Sequence, residues 1–172
     1  LLSFGLHKSW KKKLVYFVRP RDGECWADLC CGTGDVAYLI SERVGPNGSV
    51  IGIDSAKEIL KIAKQKSEAV NNKCINWEIK DILEIDENLN NFDGICMSYG
   101  LRNLESVEDG IRKVFSLLKD GGRAGFLDFH HSSRNSPSNI FQKLYLRLIV
   151  VPISKIFLLT QEYSYIEKSI QN

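Results

Sequence analysis

A parallel, doubly wound α/β sheet is the fold class this sequence predicts, and three observations predict it. Short apolar runs bounded by turn residues alternate with segments at helical spacing along 172 residues. Run after run ends in glycines or acids, at Gly32, Gly34, Asp54, Asp81 and Asp128. In open α/β sheets, ligands gather outside the carboxyl ends of the strands, where such residues are useful. The length suits one domain, and 44% hydrophobic residues are ample for a single core.

Residues 1–22 form the first segment. Leu6, Trp10, Leu14 and Phe17 or Val18 fall at helical spacing, opposite a basic group of Lys8, Lys11, Lys12 and Lys13. Such a helix suits either an anionic membrane surface or packing on the domain with a solvated lysine face. Arg19-Pro20-Arg21-Asp22-Gly23 ends it.

Residues 23–135 read as the core of the domain. Cys25 to Leu29 is a short buried strand that breaks into a glycine loop and resumes as a helix through Val36, Leu39 and Ile40. Gly45-Pro46-Asn47-Gly48 turns the chain into a second strand, Ser49 to Ile53, ending at Asp54 and Ser55. Lys57 to Val70 places Ile59, Leu60, Ile62, Ala63 and Val70 on one helical side, and Ile75 to Ile79 follows as a third strand ending at Asp81. Gly94 to Ser98 is a fourth strand, broken by SYGLRN at residues 98–103. Val107, Ile111, Val114, Phe115 and Leu118 mark the cleanest helix, which Lys119-Asp120-Gly121-Gly122 stops. Arg123 to Phe129 is the fifth strand, delivering Asp128, His130 and His131 to the shared edge.

Residues 136–172 are the third segment. The run from Ile140 to Thr160 is very apolar, but Lys143, Arg147, Lys155 and Pro152 argue against a bilayer span. Two short helices over an apolar cleft, or plain packing on the sheet, fit better.

The 23 basic and 21 acidic residues are too balanced to imply a nucleic-acid partner. Cys25, Cys30, Cys31, Cys74 and Cys96 are odd in number and lack metal-ligand spacing, which fits a reducing compartment and no metal site. The chain begins without Met and without a charged-then-apolar leader, which leaves a processed or trimmed start open.

The glycine loop carries the chemistry. Gly32 and Gly34 remove side chains that would keep a ligand from the backbone, and the first amides of the next helix point into the same space. Twenty residues past Gly34, Asp54 can accept hydrogen bonds from both hydroxyls of a ribose. Gly32, Gly34 and Ala37 also satisfy the dinucleotide fingerprint, so NAD stays open on spacing. Asp28 before the loop and Asp35 just inside the helix repel a pyrophosphate and favour a cationic ligand, S-adenosylmethionine, by about 1.5–3 kcal/mol for a charge-assisted hydrogen bond. Both acids also suit capping. Asp81 and Ile82 can flank an adenine, carboxylate to the exocyclic amine and Ile on the ring, although Asp81 also suits a turn start.

LSFGLHKSWKK, DLCCGTGD, GIDSA, SYGLRNL, VFSLLKDGGR, LDF and EYSYIEKSI occur in that order along nearly the whole chain. In these segments the chain resembles the C-methyltransferases of ubiquinone and menaquinone biosynthesis, especially their plant and algal branch that makes phylloquinone. The resemblance implies a Rossmann-like class I methyltransferase, strand order 3-2-1-4-5, with S-adenosylmethionine as methyl donor. Its cofactor contacts carry onto Thr33, Asp54, Asp81, Ile82 and Ser98. Cys30 stands where many methyltransferases have the loop's first glycine, as in plastid-type members. The family's sheet continues to seven strands, so a fragment, or another cover for the fifth strand, is expected; an uncovered edge invites a homodimer.

The activity implied is C-methylation of a prenylated demethylnaphthoquinol, peripheral to a plastid membrane, with bacterial cytoplasm or mitochondrial matrix as alternatives. The quinol ring becomes nucleophilic beside a phenolate, and a phenol's reference pKa is about 10. Arg102 is the candidate to stabilise that phenolate or order a water, and Asn103 to fix the water. His130 and His131 are alternative proton acceptors. Tyr99, Tyr163 and Tyr165 are candidates for contact with the ring, or for ordinary packing. Two other functions remain open at this point: an NAD-dependent oxidoreductase and a non-catalytic cofactor-binding fragment.

Overall fold

A computed structural model describes residues 6–86 and 92–128. Helix α1 (Leu6–Val18) precedes strand β1 (Cys25–Leu29), helix α2 (Asp35–Val44) and strand β2 (Ser49–Asp54). Helix α3 (Lys57–Ala69), strand β3 (Ile75–Ile79), strand β4 (Phe92–Ser98), helix α4 (Val107–Leu117) and strand β5 (Leu118–Leu127) follow. The strands form one parallel sheet in the order β3-β2-β1-β4-β5, so all five carboxyl ends lie along one edge. The chain reverses direction across the sheet between β1 and β4, and such a switch point leaves a crevice at the carboxyl edge.

Alternation of side chains sends each strand's residues to two cores. Trp26, Val50 and Cys96 join Leu14, Val15 and Val18 of α1 and Val36, Ile40 and Val44 of α2. Ala27, Leu29, Ile53, Ile95 and Met97 join Val114 and Leu117 of α4. The Tyr38 hydroxyl ties α2 to α3, donating to the Ala63 carbonyl at 2.9 Å and lying 2.9 Å from the Ser67 hydroxyl.

Three helix faces differ from the sequence expectation. In α1 the buried stripe is Leu14, Val15 and Val18, while Leu6 and Phe17 are exposed; Lys11 lies on the packed side and not among the solvated lysines. In α3 the buried residues are Leu60, Ala63 and Ser67, and Ile59, Ile62 and Val70 face outward. In α4 they are Gly110, Val114 and Leu117, leaving Val107, Ile111 and Phe115 exposed. Small or polar residues seat these helices closely, a role that hydrophobic spacing does not reveal. The fifth strand also starts earlier than Arg123. Leu118 pairs with Phe92 and Arg123 with Gly94, so Lys119–Gly122 is an irregularity within the strand, and the helix ends before it, at Leu117.

Candidate active site

The turn between β1 and α2 is built from left-handed backbone: φ is 53° at Cys30, 56° at Gly32 and 80° at Gly34. Cys30 therefore adopts a conformation that glycine reaches without strain, which explains why glycine is common at this position. The two glycines serve different ends. Among the described residues, a Cβ on Gly32 would meet nothing within 4 Å, so this residue leaves open space above the loop. A Cβ on Gly34 would run into the Trp77 ring, so this glycine lets β3 close against the loop and does not clear a path for a ligand. Gly100 is held by the same logic, since its Cβ would lie 2.7 Å from the Cys30 Cβ.

Asp54 joins loop and second strand into one site. One carboxylate oxygen accepts from the Gly32 amide at 2.8 Å and the other from the Ala56 amide at 2.9 Å. Each oxygen keeps further acceptor capacity. Ser55 beside it is exposed, and Thr33 is half-buried with its hydroxyl 3.5 Å from Asp35.

Asp28 is 1% exposed. Its Oδ2 accepts from the Ala37 amide at 2.9 Å, and its Oδ1 is buried with no hydrogen-bond partner among the described residues. Burial pushes its carboxyl up to about 7, against the pull of the Ala37 amide and of Lys11. Asp35 behaves differently: burial raises it, but Lys11 and Lys66 more than offset this and hold it below the usual carboxylate range. Lys11 Nζ lies 3.0 Å and Lys66 Nζ 3.6 Å from its carboxylate. Two free carboxylates turning phosphates away from the loop is therefore not what the fold presents. Asp35 is already matched by lysines, and Asp28 is buried beneath the helix start. Burial also pushes up the thiols of Cys30, to about 12, and of Cys31.

Asp81 caps the short 3-10 turn Ile82–Glu84, its side chain accepting from the Leu83 amide at 2.9 Å, which is the turn-start reading of this acid. It remains exposed. Ile82 is 3% exposed and packs in the core on the α4 side. Its side chain is committed there and does not offer the expected face to an adenine.

At the end of β4, Ser98 and Tyr99 are half-buried, and Tyr99 takes φ 61°. The turn that follows is hooked onto β5. The Tyr99 amide donates to the Leu127 carbonyl at 2.6 Å, and Arg102 donates to Asp128 from Nη1 at 2.7 Å and from its backbone at 3.3 Å. The Arg102 guanidinium lies 5.6 Å from the Tyr99 ring centroid. Burial pushes the Tyr99 phenol up, with Arg102 opposing. Asn103 is exposed and donates to the Tyr99 carbonyl at 3.3 Å.

The fold thus brings Asp28, Cys30, Gly32, Thr33, Asp54, Ser98 and Arg102 to one edge. It makes Asp128, placed at this edge by its strand end, the partner of Arg102, and it adds Lys11 and Lys66, whose spacing carries no sign of a role here because each pairs with a residue 24 or more positions away. Tyr163, Tyr165, His130, His131 and the apolar segment 136–172 lie outside the described residues.

The sequence profile of the ubiE/COQ5 methyltransferase family matches residues 1–172. A Thermosynechococcus vestitus protein named 2-phytyl-1,4-naphtoquinone methyltransferase is 42% identical over 170 residues, covering 99% of this chain and 74% of its own length. An Arabidopsis thaliana relative, named 2-phytyl-1,4-beta-naphthoquinone methyltransferase, chloroplastic, is 35% identical over 99% of this chain and 66% of its own length. Among solved structures, a SAM-dependent methyltransferase from Aquifex aeolicus aligns with a TM-score of 0.65 at 19% identity, over 80% of this chain and 77% of that one. At that identity the likeness shows the fold.

Proposed function

This chain belongs to the ubiE/COQ5 methyltransferase family, and from that membership we propose that it methylates a ring carbon of a prenylated demethylnaphthoquinol. It is a methyltransferase dependent on S-adenosylmethionine. The NAD alternative raised by the glycine spacing falls with the family.

The residues present fit that donor. The observation that carries the reading is Asp28: a buried carboxylate oxygen without a partner, under a loop whose Gly32 leaves open space, suits the donor's ammonium group. Asp54 keeps lone pairs for the ribose hydroxyls, and Asp81 with the backbone of Ile82 serves the adenine. Thr33, Ser55 and Ser98 border the same edge. When bound, the donor supplies an electrophilic methyl carbon.

The chain's own task is to make the ring carbon nucleophilic. The Arg102 guanidinium stabilises the phenolate left when the quinol loses a phenolic proton, and Asn103 orients the water that takes it. Asp128 holds the guanidinium in place and tempers its charge. Tyr99 offers its ring to the substrate. Much of the rate comes from aligning acceptor and donor away from water.

The plastid setting follows the Arabidopsis relative's name. No described helix is long and apolar enough to cross a membrane, and α1 exposes Tyr16 and Phe17 with Lys8, Lys12 and Lys13, a face suited to peripheral contact with anionic lipid. β5 is the last strand of the described sheet, and pairing along it is the route to a homodimer. The test is incubation with S-adenosylmethionine and reduced demethylphylloquinone, followed by mass spectrometry. A product carrying one added ring methyl supports the proposal; S-adenosylhomocysteine binding with no methylated product leaves the non-catalytic reading standing.

A further inference from the structure

Lys11 sits where a lysine is costly. With Leu14, Val15 and Val18 it makes the i, i+3, i+4, i+7 stripe that α1 turns toward the domain, and its side chain is only 16% exposed. An ammonium withdrawn from water this far needs a partner. The partner is Asp35, 24 residues on, at 3.0 Å. Asp35 is the first residue of α2 and directly follows Gly34. From the other side, Lys66 of α3 donates to the Thr33 carbonyl at 3.3 Å and lies 3.6 Å from the same carboxylate. Residues 33 and 35 are therefore held between two helices, by Lys11 on one side and Lys66 on the other. Two residues after Asp35, the Ala37 amide pins the Asp28 carboxylate. A shift of the first turn of α2 thus moves the loop backbone and the acid beneath it together.

We propose that Lys11 is a positioning residue for the donor site: acting through Asp35, it fixes residues 32–35 and couples the docking of α1 to occupation of the loop. The inference rests on the donor reading above. Lys66 is 46% exposed, so its attraction is screened by water and it is the weaker of the two holds. Cofactor binding then protects α1, and undocking of α1 weakens cofactor binding.

The experiment titrates S-adenosylhomocysteine calorimetrically into the wild-type chain, Lys11→Met, Asp35→Asn, the double variant and Lys11→Arg. Urea unfolding of each ligand-free chain runs alongside. Lys11→Met should weaken binding about tenfold, the range expected when a partly buried pair loses one member. The double variant should lose no more than the worse single variant, and Lys11→Arg should recover most of the affinity. Losses that add, or an unchanged dissociation constant in a folded but less stable Lys11→Met, overturn the proposal. Amide exchange in the ligand-free chain tests the latch without any ligand. Residues 32–37 should exchange faster in Lys11→Met while β2 is unaffected, and unchanged exchange there overturns the proposal. Failure of the wild-type chain to bind the ligand would count against the donor reading, and exchange would then decide the latch alone.

Discussion

Gly32 and Gly34 stand two residues apart in one loop, yet they answer to different neighbours. Alanine at 32 meets only the strain of φ 56°, about 1 kcal/mol, but its methyl enters the open space above the loop. Gly32→Ala should keep most of its stability to urea and lose at least about tenfold in S-adenosylhomocysteine affinity. Gly34→Ala adds overpacking against Trp77 to its strain and should lose about 2–4 kcal/mol of stability. Calorimetry and urea melts on the two variants check the contrast. Asp28 gives a pH dependence. Its carboxyl sits near 7 in the free protein, well above an unfolded aspartate, so between those values folding takes up a proton and stability falls as pH rises. A cationic ligand needs the ionised form, so ligand affinity moves the other way. It should rise about tenfold between pH 6 and pH 8 and level off above, and Asp28→Asn should flatten that profile.

At the scale of elements, the turn after β4 is the part of the site most dependent on its neighbour. Residues 99–103 are hooked to the end of β5 through Leu127 and Asp128. Asp128→Asn should therefore lower turnover about ten- to hundredfold while leaving cofactor affinity within about threefold, because the loop around Asp54 is anchored separately. Initial rates and calorimetry on the same preparation separate the two effects. The elements themselves were largely legible. Runs such as Cys25–Leu29 and Ser49–Ile53 are short, apolar and bounded by turn residues, and they form strands where expected. Helix faces were less so. Gly110 and Ser67 are buried while Phe115 and Val70 are exposed, because Gly110 lets α4 close on Leu104 and Ser67 meets the Trp77 indole of β3, roles that large side chains cannot fill. The sequence groups Lys11 with the other lysines of α1, because its partner is set by tertiary packing and leaves no local signal.

For the whole molecule, parallel strands do the organising. They put the glycine loop, Asp54, Asp81, Ser98 and Asp128 on one edge from distant parts of the chain, and that convergence could be read from strand-end residues alone. The charge logic of the loop could not, since the lysines that match Asp35 come from α1 and α3. The peripheral lipid contact proposed above uses the side of α1 that exposes Tyr16 and Phe17, while Lys11 on the packed side pairs with Asp35. Co-sedimentation with vesicles rich in anionic lipid should capture the chain at low salt and release it at high salt, and Phe17→Ser should weaken capture. The central claim is that one sheet edge holds two separable halves, a donor half at Asp54 and a reacting half at Arg102. Measuring cofactor affinity and methyl transfer for Asp54→Ala and Arg102→Ala in parallel tests it most directly. Asp54→Ala should lose affinity for S-adenosylhomocysteine by about a hundredfold, and Arg102→Ala should retain that affinity while losing methyl transfer by a similar factor. Equal loss of affinity in both variants, or undiminished binding in Asp54→Ala, would contradict it.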